Sequence, residues 1–221
     1  AILSTEGQSV TLVYVDDTEG WKNIQDSTSN VTGVSYISAS GGTETTSGNF
    51  KIHKFTGPGT FTVSSVGAGS PFSNTVDYLV VAGGGSGGAD AGAGGGAGGL
   101  RASATTYSIG CNPAKPLVCG VSALPVSAQG YPITVGGGGT APGPGNGSAG
   151  CAPHGANGNN SIFSSITSTA GGGGGGGVDN APPAGGSVGA DGGSGGGGRG
   201  NCSTVCGGAG NTPPVSPPQG N

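Results

Sequence analysis

Two glycine-rich strings have the spacing of chemical motifs. Gly83-Gly84-Gly85-Ser86-Gly87-Gly88 follows the apolar run 76–82. It fits GxGxxG, the spacing that cradles a dinucleotide's pyrophosphate at a helix N-terminus. The same string fits the GxSxG nucleophile elbow around Ser86, as does Gly192-Gly193-Ser194-Gly195-Gly196 around Ser194. Each motif needs more than its glycines. The dinucleotide site needs a following helix and an acidic residue about 20 positions on. Here Ala89-Asp90-Ala91-Gly92-Ala93 and further glycine follow, a poor helix, and the next acid after Asp90 is Asp179. The elbow needs a helix and a general-base histidine, yet no His follows Ser194 and only His154 follows Ser86. There is also no phosphate-binding loop, no paired catalytic carboxylates and no metal-ligand cluster. The spacing therefore predicts neither an enzyme nor a cofactor site.

Five cysteines remain: Cys111, Cys119, Cys151, Cys202 and Cys206. Cys111 with Cys119, and Cys202 with Cys206, flank short loops and are candidate local disulfides in an oxidising setting. Free thiols are the equal alternative. Cys151 is left over, free or paired with a neighbouring chain. Zinc is disfavoured because no CxxC pair occurs and only His53 and His154 could add nitrogen ligands. Asn30, Asn146, Asn159 and Asn201 head glycosylation sequons, which chance explains in so Asn/Ser/Thr-rich a chain.

Composition shows what must position these residues. The 221 residues include 55 Gly and 15 Pro, and charged residues make up 7%, against about 25% in ordinary globular chains. The net charge of -4 is scattered, so neither phosphate-driven nucleic-acid binding nor another charge-driven partner is expected. No apolar run approaches the roughly 20 residues that span a bilayer, so no membrane insertion is expected. The chain begins at Ala1 with no signal-peptide pattern, which reads as a piece of a longer or processed polypeptide.

Glycine divides the chain. Residues 1–82 hold 10 of the 55, leaving 45 for residues 83–221. The first part reads as β: residues 10–15 (VTLVYV) are β-branched and aromatic, apolar on both alternating faces and hence expected to be covered on both. Residues 16–20 supply a turn, and Trp21 and Ile24 begin a return strand. A second hairpin is expected from residues 50–55 and 61–63 across Thr56-Gly57-Pro58-Gly59-Thr60, and residues 76–81 form a third apolar strand. Trp21, Phe50, Phe55, Phe61 and Phe163 are expected in the core. Tyr107 and Tyr131 suit carbohydrate stacking if exposed and the core if buried. No segment has a helical period.

The second part repeats a strand followed by glycine: residues 79–82 before 83–85, residues 133–135 before 136–139, and residues 166–170 before 171–177. A glycine run is either a flexible linker or an extended, polyproline-II-like helix that packs backbone to backbone. Its anchoring behind a strand favours ordered packing. The scarcity of large apolar groups after residue 83 means that backbone hydrogen bonds, disulfides or association must add stability, and a homotrimer around a fibre axis is expected. The expected architecture is mainly β: an N-terminal antiparallel hairpin module (1–48), a glycine-rich β domain with polyglycine-II-like segments (49–211), and a Pro-rich extended spacer (212–221).

Several strings resemble phage proteins. Gln8-Ser9-Val10-Thr11-Leu12-Val13-Tyr14-Val15 with Gly20-Trp21 resembles a module of tail fibre proteins. Phe55-Thr56-Gly57-Pro58-Gly59-Thr60-Phe61-Thr62-Val63, Tyr78-Leu79-Val80-Val81-Ala82-Gly83-Gly84-Gly85 and the tail from Gly210 to Asn221 are similar to the glycine-rich domain of phage tail fibres and adhesins, especially of aquatic phages. The resemblance implies a trimeric virion tail fibre, extracellular, that meets other tail proteins and binds a host-cell surface glycan or protein. Loops would carry the receptor contacts. The Cys-bearing inserts, residues 111–119 and 151–160, are the loop candidates, with Tyr107, Lys115, Tyr131, His154 and Asn157 the candidate receptor residues. A pilus- or sheath-like cellular filament is the alternative.

Overall fold

The computed structural model describes residues 10–26, 35–67, 74–103, 121–143, 152–177, 187–199 and 207–221. Strands and extended segments make up the described residues, with no helix among them. The expectation of a mainly β chain holds.

The first hairpin forms as expected. β1 (Val10–Tyr14) pairs antiparallel with β2 (Trp21–Asp26). Asp16 builds the turn, its Oδ1 accepting the Thr18 and Glu19 amides at 2.8 and 2.6 Å. The expectation of covered faces fails for this protomer. Leu12, Val13, Tyr14 and Val15 are all exposed, and Trp21 is 66% exposed. A two-stranded ribbon has no second layer to bury them.

The second expected hairpin does not form. β5 (Phe50–Lys54) pairs with β4 (Thr43–Ser47), while β6 (Gly59–Ser65) lies in a different sheet. The two-residue connection Gly48-Asn49, with Gly48 at φ +56°, closes β4 onto β5. Short glycine-led turns of this kind match strand twist, so the local partner wins over the one across the longer Thr56–Thr60 loop. Phe50, expected in the core, lies 45% exposed on this ribbon.

The main sheet has five strands in the order β13 (Ile166–Ser168), β12 (Ser161–Phe163), β11 (Gly130–Thr134), β6, β3 (Ser38–Ser40), all antiparallel. Its buried residues Phe61, Val63, Tyr131 and Phe163 form the core with Val80 and Val126, and Phe55 packs against it. Phe61 meets Phe163 edge-on with centroids 5.9 Å apart, and Tyr131 meets Phe163 at 6.2 Å, geometries that ring quadrupoles favour. The expected strand 76–81 is split. β7 (Thr75–Val76) pairs with β10 (Leu124–Pro125), and β8 (Leu79–Val81) pairs with β9 (Leu100–Ala102). Ser103 makes the break: its Oγ accepts the Tyr78 amide at 3.0 Å and donates to Asp77 Oδ1 at 2.7 Å.

Beyond the strands, the glycine runs are ordered. β8 leads into residues 83–89, β11 into 136–140 and β13 into 170–177, the strand-then-glycine order read from the sequence. The amides of Ala82, Gly85 and Gly88 donate to Gly99, Gly96 and Ala93, whereas those of Gly83, Ser86 and Ala89 donate to Asn159, Ala156 and Pro153. Successive residues thus face different neighbours, and every third residue returns to the same one. That three-residue period belongs to a polyproline-II-type helix; a β-strand would repeat every two.

Candidate functional site

Residues 169–177 run through the middle of this packing. All nine of their carbonyls accept a hydrogen bond. Those of Thr169, Gly172 and Gly175 accept from Gly99, Gly96 and Ala93; those of Gly171, Gly174 and Gly177 accept from Gly158, Gly155 and Ala152. Those of Ala170, Gly173 and Gly176 accept from the amides of Gly193 and Ala190 and from Ser187 Oγ. The amides use intervening directions. Gly171, Gly174 and Gly177 donate to Gly83, Ser86 and Ala89, and Gly172 and Gly175 donate to Ser194 and Gly197. Five backbone segments therefore surround the centre, and acceptor-facing and donor-facing neighbours alternate.

The sixth direction is served by side chains. Asn157 Oδ1 accepts the Gly173 amide, and Asn160 Oδ1 accepts that of Ala170, both at 2.8 Å. The spacing of three between the asparagines matches the period of the segment they serve.

This packing explains why the segments are glycine. A Cβ on Gly172 would lie 1.9 Å from Ala190 O, and one on Gly173 1.9 Å from Gly155 O. The glycines of the 83–88 string have the same reason to be glycine. A Cβ on Gly83, Gly85 or Gly88 would lie 2.0, 2.1 or 2.2 Å from the carbonyl oxygen of Gly137, Gly172 or Gly175. Ser86 is a bridge: its Oγ donates to Thr140 O at 2.8 Å and accepts the Ala156 amide at 2.9 Å.

The hydrogen-bond register gives the bundle two distinct ends. Residues 82, 99, 159 and 170 lie at the end where the strands attach. At the other end lie Gly177, Ala152, Ala89 and Ser187, beside the turn made by Asp90 and Ala91, at φ +50° and +54°. Residues 136–143 and 171–177 rise toward that far end, and 152–158 and 187–193 descend from it. Residues 194–199 rise again, and Gly208 pairs back onto Gly196. The connections between 143 and 152, between 177 and 187, and between 199 and 207 thus all depart at the far end. The connection between 103 and 121 departs at the strand end.

The candidate receptor residues separate accordingly. Tyr107, Lys115 and all five cysteines lie outside the described residues, as do Asn30, Asn146 and Asn201. The candidate insert 111–119 also lies outside the described residues, and the other is no loop over its described part: residues 152–160 form one of the packed segments, bonded to 171–177 and 83–89, because their amides and carbonyls are taken up by those neighbours. His154 is exposed at the far end, next to Pro153, whose carbonyl accepts the Ala89 amide at 3.1 Å. Asn157 is exposed and also braces Gly173. Tyr131 is a core residue, 7% exposed, so the burial reading of this tyrosine holds and its ring is not offered to a ligand. Hydrogen bonds from the Ser127 side chain and amide hold its pKa below the ordinary tyrosine value, against the effect of burial. Among the described residues no group of His, Cys, Asp or Glu could hold a metal ion.

No pattern in the sequence points to Gln219. Residues 212–221, expected as an extended spacer, fold back onto the domain. Gln219 is 1% exposed, its Oε1 accepts the Thr169 amide at 2.8 Å, and its Nε2 donates to Thr169 Oγ1 at 3.0 Å. Its carbonyl accepts the Leu100 amide at 2.8 Å. Asn211 holds the return, its Oδ1 accepting the amides of Val215 and Gln219. Proline stiffness sets local direction only, and these bonds decide where the segment goes.

The sequence model of the glycine-rich domain family matches residues 56–220. The chain belongs to that family. No curated protein and no solved structure shows significant similarity to it. The glycine-rich domain so matched takes in β6, the polyglycine packing and the folded-back end, so Gln219 lies within it.

Proposed function

We propose that this protein is a structural, non-enzymatic subunit of a phage tail fibre that contributes to host attachment by binding a surface glycan or protein. The reading rests on the resemblance of its strings to tail fibre proteins. The observation that supports it most is the departure of three connections from one end of a glycine bundle bonded backbone to backbone. A bundle bonded backbone to backbone is a stiff platform, and segments leaving one end of it can diversify without disturbing the packing. His154 stands at that end. In this proposal three copies surround the fibre axis, the exposed Leu12, Val13, Tyr14 and Trp21 lie against neighbouring subunits or other tail proteins, and several weak sites per virion act together through avidity.

Antibody labelling of the native source material under the electron microscope tests this. Label on fibres attached to phage tails is the expected result. Label along filaments rooted in cells would overturn it and favour a structural filament, whose head-to-tail contacts do not close.

A further inference from the structure

Arg101 stands in the middle of β9, directly opposite Val80 of β8. Opposed residues of an antiparallel pair share a face. Val80 is 8% exposed and belongs to the core, with Tyr78 packed beside it. Arg101 therefore lies on the inner side of its ribbon, where β8 and β9 meet β12 and β13. Burial raises the Tyr78 pKa above the ordinary tyrosine value, and the Arg101 charge works against this.

Arg101 Nη1 is buried and has no acceptor among the described residues. A lysine in such a place could shed its proton, but a guanidinium cannot, so its N–H groups must find an acceptor or remain unpaid. Leaving a buried charged donor unsatisfied costs more than the same omission at a neutral group. The described carboxylate at the end of this ribbon, Asp77, accepts from Ser103 Oγ at 2.7 Å, and the two described carboxylates after residue 83 are placed elsewhere. Asp90 stands at the far end of the bundle, and Asp191 accepts the Ala209 amide at 2.6 Å. The connection that follows Ser103, residues 104–120, contains no Asp or Glu.

We propose that Arg101 is an anion-binding site at the strand end of the glycine-rich domain, taking a carboxylate of the kind carried by an acidic sugar or a small organic acid. The planar guanidinium matches the two oxygens of a carboxylate. Arg101 as a whole is only half-buried, so rotation about its outer torsions brings Nη1 to an incoming ligand. The site is at the end opposite His154 and stands independently of the attachment reading.

The test is thermal unfolding of the full chain with increasing acetate, glucuronate or glucose, ionic strength being held constant with sodium chloride. Acetate and glucuronate should raise Tm saturably in the natural protein, as expected for a ligand bound only by the folded state. Glucose should have no effect. Arg101→Met should lose the response, and Arg101→Lys, which keeps the charge without the fork, should need roughly tenfold more ligand. Side-chain NMR of 15N-arginine-labelled protein reads the same binding without relying on the variants. A saturable Arg101 shift with both carboxylates supports a general carboxylate site, and a shift with glucuronate alone narrows the ligand to an acidic sugar. Equal Tm responses in the natural protein and Arg101→Met, a response to glucose, or the absence of any saturable Arg101 shift would overturn the proposal.

Discussion

Asn157 Oδ1 accepts the Gly173 amide at 2.8 Å on the side of the central segment that no backbone carbonyl serves among the described residues. Gly173 is buried, so its amide has no ready substitute in water. Asn157→Ala should cost about 1–3 kcal/mol in chemical denaturation, the price of an unsatisfied buried donor. Asn157→Asp keeps the acceptor oxygen and should lose less. Equal losses would show that the side-chain amide itself matters.

Interior and peripheral glycines should respond oppositely to alanine. At Gly172 a Cβ would meet Ala190 O at 1.9 Å, while at Gly137 it would meet nothing within 4 Å. Gly172→Ala must push neighbouring backbone apart and should destabilise by about 3 kcal/mol or more. Gly137→Ala restricts the unfolded chain without a clash and should stabilise by about 0.5–1 kcal/mol. Paired melting curves check the contrast.

Gln219 gives a direct test of the folded-back end. Gln219→Ala leaves the Thr169 amide without its acceptor and opens space at a site 1% exposed. A loss of about 3 kcal/mol is expected from the two effects together. An extended spacer would show no change in Tm.

Acid should loosen the β4–β5 ribbon. Lys51 bonds to Glu44, with Nζ 3.1 Å from Oε2, and holds its pKa below 4.5. The unfolded chain therefore takes up this proton first. The contribution is fully present above about pH 4.5 and fades as pH falls through the lower folded value. Protection factors of the β4 and β5 amides, which correct for the intrinsic pH dependence of exchange, should fall over that range, and Glu44→Gln should flatten the dependence.

The regions legible in the sequence are those where neighbours along the chain decide the outcome. Asp16-Asp17-Thr18-Glu19-Gly20 turns β1 into β2 because Asp16 caps amides two and three residues ahead. The 50–63 hairpin is not legible in this way because two glycine-led reversals compete there, and the closure at Gly48 is the shorter. Trp21 and Phe50 are exposed against expectation because composition marks a residue as apolar without saying whether a second layer exists to cover it. In the candidate site, His154 lies at the far end and Asn157 doubles as a brace, while Tyr131 belongs to the core.

By itself the sequence determined that strands run into glycine, and that such runs could pack backbone to backbone. Only the tertiary structure decided which segment bonds to which, that three connections depart together, and that Gln219 closes the column of acceptors begun by Gly197 and Ser194. The physical reason is that a polyglycine segment presents the same amides and carbonyls at every residue. With no side chains to distinguish one register or neighbour from another, selection falls to distant anchors such as Asn157, Asn160, Ser187 and Gln219.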